Sequence, residues 1–151
     1  MTTTLPRSST PGRAAPRHGS YRLARATAAI ALLTVGAVHL EQYAVAHYSA
    51  IPTIGSLFLA NFIAATAFGV CLLARSGAIS PRLRRLVDAA ASLGGLGVAA
   101  GALAALVISE RTPLFGFMEH GYRVEIVIAV AVETIAIVAL GTLLAQLWQQ
   151  R

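Results

Sequence analysis

The chain has 151 residues, of which 56% are hydrophobic and only 12% are charged, and its formal net charge is +6. Because soluble domains carry about 25% charged residues, this composition excludes an ordinary soluble protein and favours one surrounded by lipid. All the basic residues are arginines, and without a platform of aromatic and basic side chains they give no support for nucleic-acid binding.

The N-terminal segment, residues 1–20, is rich in Thr, Ser, Pro, Gly and Arg and contains almost nothing that a folded core could bury. Such a composition predicts disorder. A basic tail next to a membrane span can also lie on anionic lipid. The remainder of the chain, residues 21–151, is predicted to form a single domain.

Four apolar stretches follow, and each is long enough to cross a bilayer, which takes about 20 residues in a helix. They lie at residues 26–46, 54–74, 86–108 and 124–147. Because the connectors are short, neighbouring spans should be antiparallel. The predicted fold class is all-α, an integral membrane four-helix bundle with a disordered basic N-terminal tail.

The first span has a second interpretation, a cleavable signal peptide. The basic segment before it resembles the start of a signal peptide, and the small residues at 44–46 resemble a cleavage site. His39, Glu41 and Gln42 make the end of the span unusually polar for a signal peptide, so a retained span is favoured. N-terminal sequencing of the mature protein would distinguish the two.

Arginines are concentrated on alternate connectors. Ten of them precede the first span, separate the second from the third or end the chain, whereas Arg111 and Arg123 lie on the other side. Since basic residues mark the cytoplasmic side, both termini are predicted to be cytoplasmic. The lysine-free, alanine-rich composition is typical of a GC-rich bacterium, so the predicted location is a bacterial plasma membrane. We call the side of Arg111 and Arg123 the outer end of the bundle and the opposite side the inner end.

The third span is rich in small residues. Gly97, Gly101 and Ala105 follow one another at intervals of about one turn, a spacing that lets two helices approach closely in lipid. The predicted role of this small-residue stripe is packing within the bundle, and the alternative is an interface between two copies of the chain.

Three strongly polar side chains interrupt the spans: His39 in the first, Asn61 in the second and Glu133 in the fourth. An ionised group at the centre of a span costs about 2.5–3.5 kcal/mol, so these are the first candidates for a functional site. A helical rise of about 1.5 Å per residue puts them roughly 10–13 Å from the outer ends of their spans. They are therefore predicted to lie in one layer and to meet if their faces point inward.

Further polar residues extend this layer toward the outer end. Tyr43 and His47 follow His39 by four and eight residues, so in a continuous helix they share its face. Glu125 precedes Glu133 by eight residues in the same way. The predicted polar lining, with its roof from the outer loop, consists of His39, Tyr43, His47, Glu125, Glu133, Glu119 and His120.

Three interpretations of this cluster remain open. It can be a buried hydrogen-bonded group that sets the helix register. It can be a site for a proton or small ligand that opens to the outside, since His and Glu exchange protons readily. It can hold zinc, iron or manganese, although neither His-x-x-x-His nor Glu-x-x-His occurs in the sequence. A bis-histidine haem site would need a second deep histidine, so the cofactor stays unassigned.

Several motifs stand near this layer: His39-Leu40, Tyr43, residues 51–58 (IPTIGSLF), Asn61, residues 114–119 (LFGFME) and Val132-Glu133. Together they resemble a group of small four-pass membrane proteins of actinobacteria that has no assigned activity. The resemblance covers residues 26–147 and marks His39, Asn61, Glu119 and Glu133 as family-like positions without giving them a role. In size and number of spans the chain is also similar to DoxX-like proteins, which are linked to quinone or thiol redox systems. That similarity is one of architecture, and architecture alone does not carry function.

Motifs of soluble enzymes are missing from the sequence. The glycine-rich residues 94–97 lie inside an apolar span without the Lys-Ser or Lys-Thr of a phosphate-binding loop, and no Gly-x-Ser-x-Gly elbow occurs. Cys71 is the single cysteine, so no disulfide forms within one chain. Its predicted role is that of a small buried apolar residue.

The leading functional hypothesis is a small non-enzymatic multi-pass membrane protein, an accessory or interaction subunit. Its partners would be the lipid bilayer and either a second copy or another membrane protein. The main alternative is a proton- or metal-linked carrier or sensor that uses the polar cluster. A membrane redox helper of DoxX type is the third hypothesis.

Overall fold

The computed structural model describes residues 18–74, 79–118 and 123–149. Within them the chain forms four long helices, each long and apolar enough to span a membrane. They are α1 (His18–Ala44), α2 (Ile54–Leu73), α3 (Pro81–Ser109) and α4 (Val124–Gln149), with a single 3-10 turn, η1 (Tyr48–Ala50), between α1 and α2. The predicted all-α, membrane-spanning fold class is confirmed.

The limits of the helices differ from those of the predicted spans at several points. Residues 18–20, assigned to the tail, already belong to α1, and the rest of the tail lies outside the described residues. The third helix starts at Pro81 instead of residue 86 because Ser80 caps it: the Ser80 hydroxyl accepts a hydrogen bond from the amide of Leu83 at 3.3 Å. Serine before proline is a strong helix start, since proline needs no hydrogen-bond partner there.

Each helix packs against the helices next to it in sequence, and α4 also packs against α1. This arrangement places α1 and α3 diagonally across the bundle, with the antiparallel neighbours that the short connectors predict. The apolar core lies in the middle and inner part, where Leu32, Leu72, Leu140 and Leu143 are almost completely buried. The first helix contributes much of this core, including Ala28, Ala29 and Val35.

A buried ion pair connects α1 and α3 at the inner end. Asp88 of α3 is 1% exposed, and its Oδ1 lies 3.2 Å from Nε of Arg25. The hydroxyl of Tyr21, one turn before Arg25, donates to Oδ2 of Asp88 at 2.5 Å. Burial of a carboxylate is tolerated when it is paired and hydrogen-bonded, and these two partners provide both interactions.

Arginine side chains also bind the last carbonyl groups of the helices at the inner end. Arg25 and Arg84 both donate to the carbonyl oxygen of Ala74, at 3.0 Å each, just after α2. Arg85 donates to the carbonyl oxygen of Leu147 near the end of α4 at 3.3 Å. Basic groups are favourable there because the last carbonyls of a helix lack partners and carry partial negative charge.

The small-residue stripe of α3 does not have the predicted packing role. Gly97 and Gly101 are exposed, and a methyl group added at either would meet no atom within 4 Å. Close packing within the bundle occurs instead at Gly94 and Gly95, against side chains of α2 and α1. Ala105 lines a cavity described below. For Gly97 and Gly101 the alternative role, an interface between copies, stays a prediction beside the possibility of no special role.

Because leucine favours a helix more than glycine does, Gly97→Leu and Gly101→Leu can raise the free energy of unfolding of the monomer by up to about 1 kcal/mol, and we expect neither to lower it. The reason is the empty space around both positions. Thermal unfolding in detergent measures this effect, and chemical crosslinking in membranes measures self-association. A strong loss of monomer stability would contradict the observed packing, whereas loss of a crosslinked dimer alone would locate its interface on this stripe.

Candidate functional site

Helix α1 places His39 in the interior of the outer half, where it is 6% exposed. Its ring nitrogen Nδ1 lies 2.9 Å from the carbonyl oxygen of Val35. Because a carbonyl can only accept, Nδ1 carries a proton and donates it. The second nitrogen, Nε2, lies 2.9 Å from the side-chain nitrogen of Asn61 on α2. In this arrangement Asn61 donates to the lone pair of a neutral imidazole.

Glu133 of α4 faces the same imidazole and is 2% exposed. Its Oε1 lies 3.6 Å from Nε2 of His39, which is too long for a hydrogen bond. Its Oε2 is buried without a hydrogen-bond partner among the described residues. A buried polar oxygen is costly unless it is hydrogen-bonded. Three things could stabilise the buried carboxyl group: a proton on Glu133 itself, a proton on His39, or a hydrogen-bond donor from another molecule.

The three side chains lie in the wall of a cavity of about 130 Å³ in the outer half of the bundle. All four helices contribute to this wall, together with η1 and the outer loop, and most of the lining side chains are apolar. Glu125, which is exposed, belongs to the wall as well, so the cavity extends from the buried centre toward the surface. Its lining residues include Gln42, Ile54, Leu57, Ala105, Leu106, Ser109, Leu114, Ile126 and Ala129.

A chain of aromatic rings leads from His39 to the outer loop. The ring centroids are 5.4 Å apart between His39 and Phe58, 4.9 Å between Phe58 and Tyr48, and 5.5 Å between Tyr48 and Phe117. At its outer part, Arg123 donates a hydrogen bond to the hydroxyl of Tyr48, and its guanidinium carbon lies 5.8 Å from the centroid of the Tyr48 ring. These contacts hold the outer wall of the cavity against the helices.

The described part of the loop between α3 and α4, which ends at residue 118, folds over the outer end of the bundle. Leu114 and Phe117 exchange two backbone hydrogen bonds of 2.7 and 2.9 Å, which makes a tight turn with positive φ at Phe115 and Gly116. The turn directs the side chains of Leu114 and Phe117 into the cavity wall, while Phe115 is exposed. The aromatic run therefore closes one side of the cavity.

The structure brings together three of the predicted site residues, His39, Asn61 and Glu133, and a fourth predicted residue, Glu125, lines the same cavity. Their functional role stays a prediction. The predicted roof residues Glu119 and His120 lie outside the described part of the chain.

Tyr43 and His47 do not line the described cavity, so the structure does not bring these two predicted residues to the polar centre. Helix α1 ends at Ala44, and His47 has a left-handed backbone with a φ of 63°, so it leaves the helical face of His39 and is exposed. Tyr43 is half-buried but lies on the other side of His39 from Gln42, and the cavity is on the side of Gln42.

Several wall residues escaped the sequence analysis. Gln42 follows His39 by three residues, so its presence on nearly the same face was available from helical geometry. The position of Tyr48 could not be predicted from helical geometry, because it depends on the left-handed backbone of the residue before it. Phe58 and Ser109 also line the cavity, and neither carries a pattern that distinguishes it from ordinary apolar or capping residues.

The residues that the structure describes include no group of three or more His, Cys, Asp or Glu side chains placed to hold a metal ion. The centre contributes one imidazole and one carboxylate, whereas protein zinc sites use three or four ligands. Glu119 and His120 lie outside the described residues, so the metal interpretation stays a prediction.

No protein-family model, no curated protein and no solved structure matches this chain.

Proposed function

We propose that this small multi-pass membrane protein is a carrier or sensor that exchanges a proton at its His39–Glu133 pair and binds a small ligand in the adjoining cavity. The observation that carries the proposal is the buried carboxyl of Glu133, 3.6 Å from His39, with one oxygen lacking a described hydrogen-bond partner in the wall of a cavity. A cluster that served only to hold the helices together would be expected to satisfy all its polar atoms.

The geometry supports one proton shared between two groups. With the proton on Glu133, the acid can donate toward the lone pair of His39 that Asn61 also binds. With the proton on His39, an imidazolium faces a carboxylate, and the Asn61 amide can present its oxygen instead of its nitrogen. The other polar side chains of the described cavity wall are Gln42 of α1, Tyr48 of η1, Ser109 of α3 and Glu125 of α4.

We expect Glu133→Gln to abolish reversible protonation of a buried carboxyl group while the protein remains folded, because glutamine keeps the shape and removes the titrating group. The measurement is the carbonyl-stretch infrared signal of a protonated carboxylic acid, followed from acidic to alkaline pH in reconstituted protein. Glu125→Gln is the matched control, since this carboxylate lies on the same helix and lines the same cavity but is exposed.

Wild-type protein and the Glu125→Gln variant should both show the buried-carboxyl signal, which the Glu133→Gln variant should lack. An unchanged signal in the Glu133→Gln variant would contradict the proposal. A Glu133→Gln variant that cannot assemble would favour a cluster that only sets helix packing.

The accessory-subunit hypothesis makes a different prediction. A crosslinking screen that recovers one partner in fixed stoichiometry would favour it, and the exposed face of α3 with Gly97 and Gly101 is the first surface to map. The redox-helper hypothesis rests on architectural similarity, and no described contact adds to it.

A further inference from the structure

We propose that the ligand of this cavity is an organic cation, a protonated amine on a small apolar body, whose ammonium group binds Glu133 in place of the proton. This inference rests on the proposed function and specifies its ligand class. Three properties of the cavity lead to it: the sign of its charged groups, the kind of hydrogen-bonding atoms at its centre and its size.

The charged groups of the cavity are acidic. Glu133 and Glu125 both lie in the wall, and none of the described residues that line it is arginine or lysine. His39 does not supply a competing positive charge in the observed arrangement, because its Nε2 accepts a hydrogen bond from Asn61. A carboxylate at Glu133 repels an anionic ligand and attracts a cationic one, while the exposed Glu125, about 12 Å away along α4, gives the outer part of the cavity the same sign of charge.

The centre offers acceptor atoms, and the donor that Asn61 supplies there is directed at His39 instead of Glu133. Oε2 of Glu133 has no hydrogen-bond partner among the described residues, and Oε1 faces a nitrogen lone pair at 3.6 Å. An ammonium group carries three donors and no acceptor, so it can bond to the carboxylate without bringing a further acceptor that needs a partner. When the amine enters the site with Glu133 protonated, the carboxyl proton leaves to solvent as the ion pair forms, so charge is conserved.

The rest of the cavity suits a small apolar body with an aromatic surface nearby. Its volume of about 130 Å³ is close to that of a cavity of about 150 Å³ known to bind benzene in another protein. Phe58 stands in the wall next to the polar centre, with its ring centroid 5.4 Å from that of His39, and aromatic rings attract cations when water is excluded. Tyr48 lies one ring further out and already contacts Arg123. A ring with one aminomethyl group therefore matches the space, the apolar wall and the acidic centre.

The test compares three molecules that share one skeleton: benzylamine, which is protonated at neutral pH, benzyl alcohol and toluene. Their binding to the full-length protein in detergent is measured by calorimetry or by saturation-transfer NMR. We expect benzylamine to bind about tenfold more tightly than benzyl alcohol, because a charge-assisted hydrogen bond is roughly twice as strong as a neutral one. Glu133→Gln should remove this preference, so that benzylamine no longer binds more tightly than benzyl alcohol.

The Ala105→Phe variant is the background control, because its larger side chain fills the described cavity from α3. The signal that it gives with each molecule reports partition into detergent and is subtracted from the signal of the other proteins. Equal affinity of the three molecules would overturn the cation inference and leave a ligand-binding cavity in place. No binding above the Ala105→Phe background would overturn both the inference and the ligand part of the proposed function, while the infrared titration decides the proton part independently. The wild-type comparison decides the ligand class even if the Glu133→Gln variant does not fold.

Discussion

Replacing Asp88 with alanine is expected to lower the free energy of unfolding by about 3 kcal/mol, the lower part of the range for breaking a buried ion pair. The change removes the carboxylate that binds both Arg25 and Tyr21 and leaves the guanidinium group without its ion-pair partner. The lower part of the range applies because Arg25 also donates to the carbonyl of Ala74. Denaturant or thermal unfolding in detergent measures the effect.

Two variants make this prediction specific. Tyr21→Phe keeps the ion pair and removes one hydrogen bond to Asp88, so it should cost only about 1–2 kcal/mol. Glu41→Ala removes an exposed carboxylate together with the hydrogen bond of 2.7 Å that it accepts from Gln42, so it should cost about 1 kcal/mol. If Asp88→Ala were no more destabilising than Glu41→Ala, the buried contact would not be a major support of the inner end.

Replacing Gly55 with alanine is expected to destabilise the protein by about 1–3 kcal/mol, the usual cost of overpacking. A methyl group at this position would lie 2.7 Å from the carbonyl oxygen of Tyr48 and 2.9 Å from Cα of Ser49. Both are backbone atoms, so η1 would have to move away from the start of α2. Unfolding in detergent measures the loss of stability.

The same substitution should also disturb the cavity, because Tyr48 and Ile54 belong to its wall. Toluene binding should therefore weaken together with stability. Gly97→Ala is the matched control: its added methyl group meets no atom within 4 Å, and replacing glycine by alanine inside a helix stabilises it by up to about 1 kcal/mol. Equal effects of the two substitutions would contradict the close contact of η1 with α2.

Helical rise alone was enough to place His39, Asn61 and Glu133 at a similar depth, because depth depends only on the count of residues from the end of a span. Their meeting also required each helix to turn the right face inward, and hydrophobic periodicity could not show this. In a membrane helix both the lipid-facing and the buried side are apolar, so the pattern that marks the inner face of a soluble helix is weak.

The small-residue stripe illustrates the same limit. The sequence does not distinguish the glycines of α3 that pack from those that are exposed. Of Gly94, Gly95, Gly97 and Gly101, only the first two lie against neighbouring helices. The end of α1 could not be predicted from the sequence either. The left-handed conformation of His47 takes it off the helical face of His39, and neither proline nor glycine occurs at residues 44–47 to mark the end of the helix.

The sequence by itself determined that four helices are long and apolar enough to cross a membrane, and it identified the polar residues that must find partners there. Composition and span length decide these points, because hydrocarbon admits only helices of sufficient length with few charges. Only the tertiary structure decided which faces meet: that Asp88 joins Tyr21 and Arg25 at the inner end, and that Glu133 faces His39 across a cavity. These contacts depend on the rotation of each helix about its own axis, which side-chain packing sets and residue counting does not.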